Sequence, residues 1–457
     1  MSHDPVHSIA IPLPEDIRQC VDAGYLQDAS LAISERLKQD LPQALRDRLL
    51  CEKERLRRMT LDYPFDREGA VRELQKYFPT ATAADFDRLD RQGRAAFLFV
   101  EGQKRWYIRF AKTLARDSYA RKEFGLPVRP ANDFLDSFVD EVEKTGKAAR
   151  EITMEAEICV QPEHFTPGRY RVWLPFPLEE AQQSDVQLLS GAPDALDPPH
   201  AWSRSAFWEK ELTENTPFTL RYRLTSTILR AHPLKDAPPA SPLYPNQAPP
   251  TEEDLSEDGV HIVFTPYMRS LAASLTKGLT GSAEKAFAIY RFVTEKVRYS
   301  FVRDYFLIDH IGEYCAINLK GDCGLQAICF IILCRICGIP ARWQSGLCIT
   351  GDEVDYHDWA QFYLGGWGWL FADLSMGGSA FRAGAIDRQR FFFGHLDPAR
   401  VAANSLFMAP LHPEFQHFRQ DPYDHQGGEI ELVGAGESFT KGQIYHDQRL
   451  ISLNKIC

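Results

Sequence analysis

The spacing of apolar residues changes along the chain and divides it into regions of different structure. Between residues 14 and 123, apolar side chains recur three or four positions apart among many charged ones, which predicts amphipathic helices. Further on the period falls to two, and Ile152 and Met154 alternate with polar neighbours, as half-buried strands do. We therefore predict an N-terminal helical region over residues 1–147 and a small β-rich, sandwich-like domain over residues 148–232.

A proline-rich stretch follows the predicted β-rich domain. Seven prolines lie between residues 233 and 250. Each proline removes a backbone donor, so the stretch disfavours a regular helix or a central strand. We interpret residues 233–254 as an interdomain linker that can also lie across a cleft.

The remaining chain, residues 255–457, mixes helical and strand-like periods. An apolar run ends at Gly338-Ile339-Pro340, a typical helix stop signal. The pattern predicts helices at 283–297 and 323–337 and strands at 341–348, 357–364 and 369–374. We treat this part as one catalytic domain with a C-terminal extension.

Composition and charge exclude several classes of function. The net charge of −11 and a pI near 5.7 argue against binding to a nucleic-acid backbone. The first residues have neither a cationic nor an apolar segment of the secretory kind, and the longest apolar run, at 327–334, is far shorter than a membrane span. Most of the ten cysteines lie in apolar contexts, which favours reduced, buried thiols. We expect a cytoplasmic protein with no nucleic-acid or membrane partner.

One cysteine lies where a helix is predicted to begin. Asp322 is well placed to cap that helix, because short polar side chains accept hydrogen bonds from the exposed amides there. Cys323 then lies in the first turn, where the helix dipole favours a thiolate, although the charge of Asp322 works against it. The run at 327–333 is apolar on almost every face, so the helix is expected to be buried and its start held rigidly.

A histidine and an aspartate fall on the two strands of a predicted hairpin. Gly365-Gly366-Trp367-Gly368 connects the strands, and His357 and Asp373 are 16 positions apart, an even number. Antiparallel pairing then puts Asp373 opposite His357 or Trp359 on the same face, with Cβ atoms about 4.5–5.5 Å apart. The hairpin thus predicts an imidazole paired with a carboxylate. The spacing does not predict a contact between Cys323 and His357.

Each of these residues also has a structural interpretation. Taken alone, Cys323 is more typical of a small buried residue, His357 of a core or surface histidine, and Asp373 of a strand-end carboxylate. Their combination, in the order thiol, imidazole and carboxylate, is that of a cysteine nucleophile with its base and its orienting acid. The combination therefore favours catalysis.

Four motifs resemble the transglutaminase-like family of papain-like thiol enzymes, bacterial type, over about residues 255–400. The motifs are Gly321-Asp322-Cys323-Gly324-Leu325-Gln326-Ala327, Gly338-Ile339-Pro340-Ala341-Arg342, Tyr356-His357-Asp358-Trp359-Ala360 and Gly368-Trp369-Leu370-Phe371-Ala372-Asp373. The resemblance implies an α+β fold with a catalytic helix packed on an antiparallel sheet. It also implies Cys323 as nucleophile, His357 as base and Asp373 as orienter. Many members have Trp-Leu-Pro-Val-Asp where this chain has Trp369-Leu370-Phe371-Ala372-Asp373, and the acid is retained.

The predicted chemistry is acyl transfer on an amide through a thioester, with no cofactor. Hydrolysis of a peptide or protein amide is favoured, and transamidation and a catalytically silent binding or scaffold role are the alternatives. The backbone amide of Cys323 is a natural oxyanion donor, with Asn318 a weak second candidate. Trp343, Trp359 and Trp367 can wall the site or pack in the core. The oligomeric state is not predicted.

Two further features leave alternatives open. The spacing of Cys334 and Cys337 allows a zinc site, but zinc usually needs two such pairs on turns, whereas this pair ends a predicted buried helix. The polar cluster at 423–429 can close over the site or supply substrate contacts, with a solvated loop as the default. His425 and His310 are alternative bases if His357 points away.

Overall fold

The computed structural model describes residues 5–127, 132–435, 439–440 and 442–456, and confirms an α+β fold with antiparallel sheets. None of the helices in these ranges is long and apolar enough to cross a bilayer.

The N-terminal region is helical, as predicted, with one added hairpin. Its helices are α1 Glu15–Asp22, α2 Leu26–Arg36, α3 Gln43–Asp62, α4 Arg67–Tyr77, α5 Ala83–Arg91, α6 Phe110–Arg116, α7 Ser118–Glu123 and α8 Asp133–Thr145, and its antiparallel strands are β1 Phe97–Val100 and β2 Gln103–Trp106. The hairpin lies where the sequence shows only aromatic bulk.

A buried arginine anchors α3 to the later part of the chain. The Arg58 guanidinium lies 3.2 Å from the Asp304 carboxylate and donates 2.7 Å to Glu54 on its own helix. Arg55 donates 2.6 Å to Asp309. Because both arginines and Asp304 are buried, these charged pairs give the helical region a defined position on the rest of the molecule.

The β-rich region consists of long alternating strands. They are β3 Lys147–Val160, β4 Gly168–Pro175, β5 Gln183–Ser190, β6 Ala195–Leu196, β7 Ser205–Leu212 and β8 Phe218–Leu229. Along β8 every second residue is buried, and all of these except Ser226 are apolar or aromatic, as the period of two predicts.

The proline-rich stretch contains no α-helix or strand and lies against a hairpin of the next region. The amide of Leu243 donates to the Trp367 carbonyl at 3.1 Å, and the Trp369 indole donates to the Ala248 carbonyl at 2.8 Å. Gly366 has a positive φ of 83°, and a Cβ there would come within 2.8 Å of Pro238. A glycine is therefore required at this close approach.

The next region combines helices with a five-stranded antiparallel sheet. The helices are α9 Pro266–Leu275, α10 Ser282–Lys296, α11 Ile311–Asn318, α12 Cys323–Ile336, α13 Leu374–Arg382 and α14 Ile386–Phe391; the strands are β9 Arg298–Tyr299, β10 Lys320–Gly321, β11 Ala341–Thr350, β12 Glu353–Leu364, β13 Gly368–Ala372, β14 Phe393–Gly394 and β15 Arg400–Asn404. The sheet order is β14-β13-β12-β11-β15, and β9 and β10 form a separate parallel pair.

The buried helix α12 packs on this sheet. Its residues 324–334 are all buried, and the Phe330 ring lies 5.8 Å from the Phe362 ring of β12. The start of α12 agrees with the prediction, and its end is one residue earlier. The predicted strands are also present, with β11 and β12 longer than expected.

The end of the chain returns to the β-rich region. Strand β16 (Glu429–Leu432) pairs with β4, and β17 (Ile444–Lys455) pairs with β3. Two four-stranded sheets result, in the orders β16-β4-β7-β6 and β17-β3-β8-β5. The segment between β15 and β16 therefore passes from the five-stranded sheet to the β-rich region, and it runs beside the start of α12.

Candidate active site

Cys323 is the first residue of α12, and its surroundings are tightly built. The Asp322 carboxylate caps the helix by accepting from the Leu325 amide at 3.2 Å, as the sequence predicts. The Tyr305 hydroxyl donates to the same carboxylate at 2.6 Å. A Cβ on Gly324 would come within 2.1 Å of that hydroxyl, so only glycine fits there.

The thiol of Cys323 contacts a carboxylate. Its Sγ donates to Oδ2 of Asp358 at 3.2 Å. Burial raises the pKa of the Cys323 thiol well above its ordinary value, and the negative charges of Asp358 and Asp322 raise it further. These effects outweigh the helix dipole, which the sequence suggested would favour a thiolate.

Asp358 itself lies in an acidic pocket. Burial raises its pKa well above the ordinary range, and Asp322 and Asp421 add to the shift, although the bond from Cys323 opposes it. Burial, then Asp421 and Asp358, also raise the pKa of Asp424. A proton is therefore held among these carboxyl groups at pH values where an exposed aspartate has lost it.

The cluster at 423–429 forms one wall of this pocket. Gln426 donates through Nε2 to Asp358 Oδ1 at 2.6 Å and to the His357 carbonyl at 2.9 Å. Ser345 of β11 donates to the Asp424 carbonyl at 3.0 Å. The cluster closes over the site instead of forming a solvated loop, since Tyr423, Gln426 and Glu429 are buried.

The predicted pairing of His357 with Asp373 is present in the structure. Nε2 of His357 lies 2.8 Å from Oδ2 of Asp373, and both side chains are buried. The Ala360–Ala372 pair sets the register, so the position of Asp373 faces Trp359 on the neighbouring strand. Asp373 also caps α13 by accepting from the Met376 amide at 2.9 Å.

A buried arginine, Arg400, lies beside the pair of His357 and Asp373. Arg400 of β15 lies 2.9 Å from Asp373 Oδ2 and 2.7 Å from Asp397. Burial alone would raise the pKa of Asp373, but His357 and Arg400 outweigh it and hold that pKa at about 2. Asp373 is therefore ionised at neutral pH and orients the imidazole through Nε2.

The thiol and the imidazole are not bonded to each other. Among the described residues no hydrogen bond joins Cys323 to His357; the thiol bonds to Asp358, the next residue of β12. Successive side chains of a strand point to opposite faces, so His357 and Asp358 do not both face the start of α12. Since Nε2 is bound to Asp373, Nδ1 is the ring nitrogen left to face a thiol.

The alternative bases lie elsewhere. His425 is bonded to the Ser205 hydroxyl at 3.0 Å, and burial lowers its pKa to about 3. His310 is exposed and lies 3.6 Å from Glu313. Asn318 is also exposed and donates to the Tyr314 carbonyl of its own helix at 2.8 Å.

The tryptophans considered as walls of the site and the cysteines considered as zinc ligands contact other residues of the fold. Trp343 packs on Phe407 with ring centroids 5.0 Å apart, and the Trp359 indole donates 2.7 Å to Gln344. Cys334 is buried in α12, and Cys337 donates to Thr276 at 3.9 Å. Across the described part of the chain, no three histidine, cysteine or acidic side chains are grouped to hold a metal ion.

Sequence reasoning missed several residues that shape the site. Asp358 lies inside a recognised motif, yet nothing in its spacing marks it as the partner of the thiol. Arg400 and Gln426 lie beyond the motifs and reach the site only through the path of the C-terminal chain. Tyr305 could have been suspected only from the glycine at 324, whose missing side chain leaves room for its hydroxyl.

Comparison with known proteins locates the family signature in this region. The model of the transglutaminase-like superfamily matches residues 269–374, which include Cys323, His357 and Asp373. No curated protein sequence matches the chain.

Solved structures with some similarity include two bacterial proteins. A candidate cysteine protease from Cytophaga hutchinsonii is 16% identical, with a TM-score of 0.41, over 67% of this chain and 92% of that one. The periplasmic domain of TgpA from Pseudomonas aeruginosa is 14% identical, with a TM-score of 0.29, over 55% of this chain and 95% of that one. On the family match and its motifs, the chain contains a transglutaminase-like domain at residues 269–374.

Proposed function

We propose that the protein is a cysteine-dependent acyl-transfer enzyme that hydrolyses an amide bond in a peptide or protein. One observation carries the proposal: a thiol at the start of a buried helix contacts Asp358, the strand neighbour of His357, whose imidazole is already held by the buried carboxylate of Asp373. Cys323 is the nucleophile, His357 the base and Asp373 the residue that orients the ring. Arg400 keeps Asp373 ionised.

The reaction starts when the proton of Cys323 Sγ moves to Nδ1 of His357. The sulfur then bonds to the amide carbonyl carbon, whose oxygen can accept from the backbone amide of Cys323. The C–N bond breaks as His357 returns the proton to the leaving amine, and a thioester remains. Water attacks the thioester while His357 takes a proton from that water, the C–S bond breaks, and the sulfur recovers that proton from His357.

Asp358 adds a step before this chemistry. The thiol must leave its hydrogen bond to Asp358 before its proton can reach His357, and the raised pKa of the thiol makes the bonded form unreactive. We propose that this arrangement is the resting state. A bound substrate that separates Cys323 from Asp358 would bring the sulfur to the imidazole.

A panel of fluorogenic peptide amides, assayed with the wild type and with Cys323→Ala, tests the proposal. We expect the substitution to reduce turnover by at least about a thousandfold and to leave the thermal melt nearly unchanged. Mass spectrometry of acid-quenched wild type should show the acyl group on Cys323. Cys20→Ala, at another partly exposed cysteine, is the matched control and should keep full turnover. Turnover that survives Cys323→Ala would refute the proposal.

Transamidation differs only in the acceptor of the thioester. If an amine reaches the thioester before water does, adding a primary amine diverts the acyl group to a new amide. Product analysis with and without the amine separates the two reactions, and we expect the free acid to remain the main product.

A catalytically silent binding role is the second candidate, because the thiol is bonded to Asp358 and its pKa is raised. Iodoacetamide near neutral pH distinguishes the two when a substrate peptide is present. A working site should alkylate Cys323 faster than Cys20 once peptide displaces Asp358. A silent site should bind the peptide with no change in labelling.

A cytoplasmic location is also part of the proposal. It is supported by cysteines that are free and often buried, such as Cys329 and Cys348. Fractionation of the producing cells tests it directly.

A further inference from the structure

Helix α6 of the N-terminal region docks on the segment that follows β9, the strand paired with β10 just before Cys323. The Phe301 amide donates to the Thr113 hydroxyl of α6 at 3.2 Å, and the Tyr107 hydroxyl donates to the Val302 carbonyl. The Phe301 ring is buried in a hydrophobic cluster of the N-terminal region. The helical region therefore contributes surface to the neighbourhood of the candidate active site.

Three cations of this region surround the Phe301 ring. Its centroid lies 3.7 Å from the Arg109 guanidinium carbon, 5.2 Å from the Lys112 nitrogen and 4.9 Å from the Arg116 guanidinium carbon. We name Arg109, Lys112 and Arg116 the cationic rim. Burial lowers the pKa of Lys112, and the charges of Arg109 and Arg116 lower it further, so the three charges act on one another.

Few ion pairs neutralise the positive charges of the cationic rim. Among the described residues, Arg109 and Lys112 have no ion pair. Arg116 has one, at 3.4 Å to Asp355, whose side chain is 64% exposed, so that pair contributes little. In a chain with a net charge of −11, three clustered cations with a single weak partner form a site that favours an anion.

Tyr299 connects the rim to the thiol. Its residue pairs with Gly321, directly before Asp322 and Cys323, and its ring centroid lies 5.5 Å from the Arg116 guanidinium carbon. Burial raises the pKa of Tyr299; Cys323 and Asp322 raise it further, and Arg116 and Arg109 oppose them. The phenol is therefore close enough to the thiol and to the two arginines for their charges to act on it.

The rim also reaches the strand that carries the base. Asp355, the partner of Arg116, is two residues before His357 on β12. Residues two apart on a strand lie on the same face, so the Arg116 pair continues the side of β12 that presents His357. A ligand held by the rim is thus beside the strand that carries His357, and Tyr299 connects the rim to the segment just before Cys323.

We propose that the cationic rim binds the carboxylate of an acidic peptide and presents a neighbouring amide to Cys323. The inference rests on the proposed function, since it names the substrate class of the same site. Arginine forks bind carboxylates with two parallel hydrogen bonds, which fixes the direction of the bound peptide as well as its affinity. The alternative is that the three cations only dock α6 on Phe301.

Peptide binding to the full-length Cys323→Ala protein tests the rim without requiring turnover. The probes are fluorescein-labelled hexapeptide mixtures with Asp or Glu at one position, against matched mixtures with Asn or Gln there. We expect the acidic mixtures to bind about tenfold more tightly at low salt, with the preference shrinking as salt is added. Equal binding of the two mixtures would overturn the inference.

The double substitution Arg109→Gln and Lys112→Gln in the same background should remove most of that preference. Glutamine keeps a polar side chain but has no positive charge. Lys53→Gln, at an exposed lysine on α3, is the matched control and should keep the preference. If the double variant melts early, Arg109→Gln alone is used, because Arg109 is exposed and makes no capping bond. If the variant without these charges still prefers acidic peptides, the proposed role of the cationic rim is wrong.

The two proposals fail in different ways. Amide turnover by the wild type with no preference for acidic peptides would overturn the rim and leave the acyl-transfer proposal intact. Acidic peptides that bind through the rim but are never turned over would support the anion site and refute the acyl-transfer reaction.

Discussion

Asp358 on β12 and Asp373 at the end of β13 are both buried carboxylates, yet their surroundings shift their pKa values in opposite directions. Asp373 lies between His357 and Arg400, and its pKa is held at about 2. Asp358 meets a thiol, a glutamine amide and other carboxyl groups, and its pKa is raised well above the ordinary value. Burial acts alike on both, so the neighbouring charges decide the outcome.

The contrast separates two tasks within one site. The side that contains Asp373 is suited to stabilising a positive charge on the imidazole, because its own negative charge is permanent at neutral pH. The side that contains Asp358 holds protons, since extra negative charge there would be costly. In the proposed mechanism, the thiol stays neutral until Asp358 is displaced.

The largest expected effect comes from removing Asp373, the carboxylate that lies between His357 and Arg400. Asp373→Ala leaves His357 without a partner and Arg400 with Asp397 alone in a buried setting. Removing one member of a buried charge network costs about 3–5 kcal/mol, so the free energy of unfolding in urea should fall by that amount. Asp87→Ala removes the exposed partner of Arg67 and should cause no measurable change. A loss near that of the control would contradict this account of Asp373.

A second test concerns the acidic side, through Glu429. Burial raises the pKa of this carboxyl to about 7 from an ordinary 4.5, and its oxygens accept from the amides of Gln420 and Asp421. Between these pH values the folded protein keeps a proton that the unfolded chain has lost. The free energy of unfolding should therefore fall as the pH rises through this window, by about 3 kcal/mol at most.

Glu429→Gln should flatten that part of the stability profile, measured by urea unfolding at pH 4.5, 6 and 7.5. Asp373 provides the opposite sign: its contribution is present above pH 3.8 and is lost as the pH falls towards about 2. A variant whose slope between pH 4.5 and 7 equals that of the wild type would show that Glu429 does not hold the proton.

A third change separates the thiol from its carboxylate neighbour. Asp358→Asn keeps the shape of the side chain but removes the carboxyl group, whose oxygen lies 3.2 Å from the sulfur and which becomes negatively charged when it loses its proton. The pH midpoint for alkylation of Cys323 should fall by at least about one unit, because a contacting negative charge opposes the thiolate. Peptide mapping after iodoacetamide treatment at a series of pH values measures the midpoint. Asp352→Asn, in the exposed turn before β12, should leave it unchanged.

The smallest expected effect comes from the segment that covers the acidic pocket. Gln426→Leu removes the bonds to Asp358 and to the His357 carbonyl. Loss of two buried hydrogen bonds should cost about 1–2 kcal/mol of unfolding free energy. Gln416→Leu, at an exposed side chain of the same segment, is the control and should be close to neutral. Equal losses in both variants would show that the wall formed by Gln426 is not held by these bonds.

Local features of the candidate site were predictable from the sequence. The cap at Asp322, the start of α12 at Cys323 and the pairing of His357 with Asp373 all follow from short-range patterns: a capping residue before an apolar run, and two strands joined by a glycine-rich turn. The predicted helix at 283–297 is likewise present as α10, displaced by one residue at each end.

Contacts between distant parts of the chain were not predictable in this way. The sequence placed residues 255–457 in one catalytic domain, whereas β16 and β17 pair with strands of the β-rich region. The path to those strands carries Gln426 over the thiol. The cationic rim lies at α6, which precedes the β-rich region in the chain, and no periodic pattern in the sequence marks it.

The amino-acid order by itself determined the elements of the site, because capping, turn formation and strand alternation depend on neighbours a few positions apart. Only the tertiary structure decided which carboxylate meets the thiol. It also decided which charges surround the thiol and the imidazole. Those outcomes depend on how the helices and sheets pack, and packing sets burial and charge separation, from which the pKa of every group in the site follows.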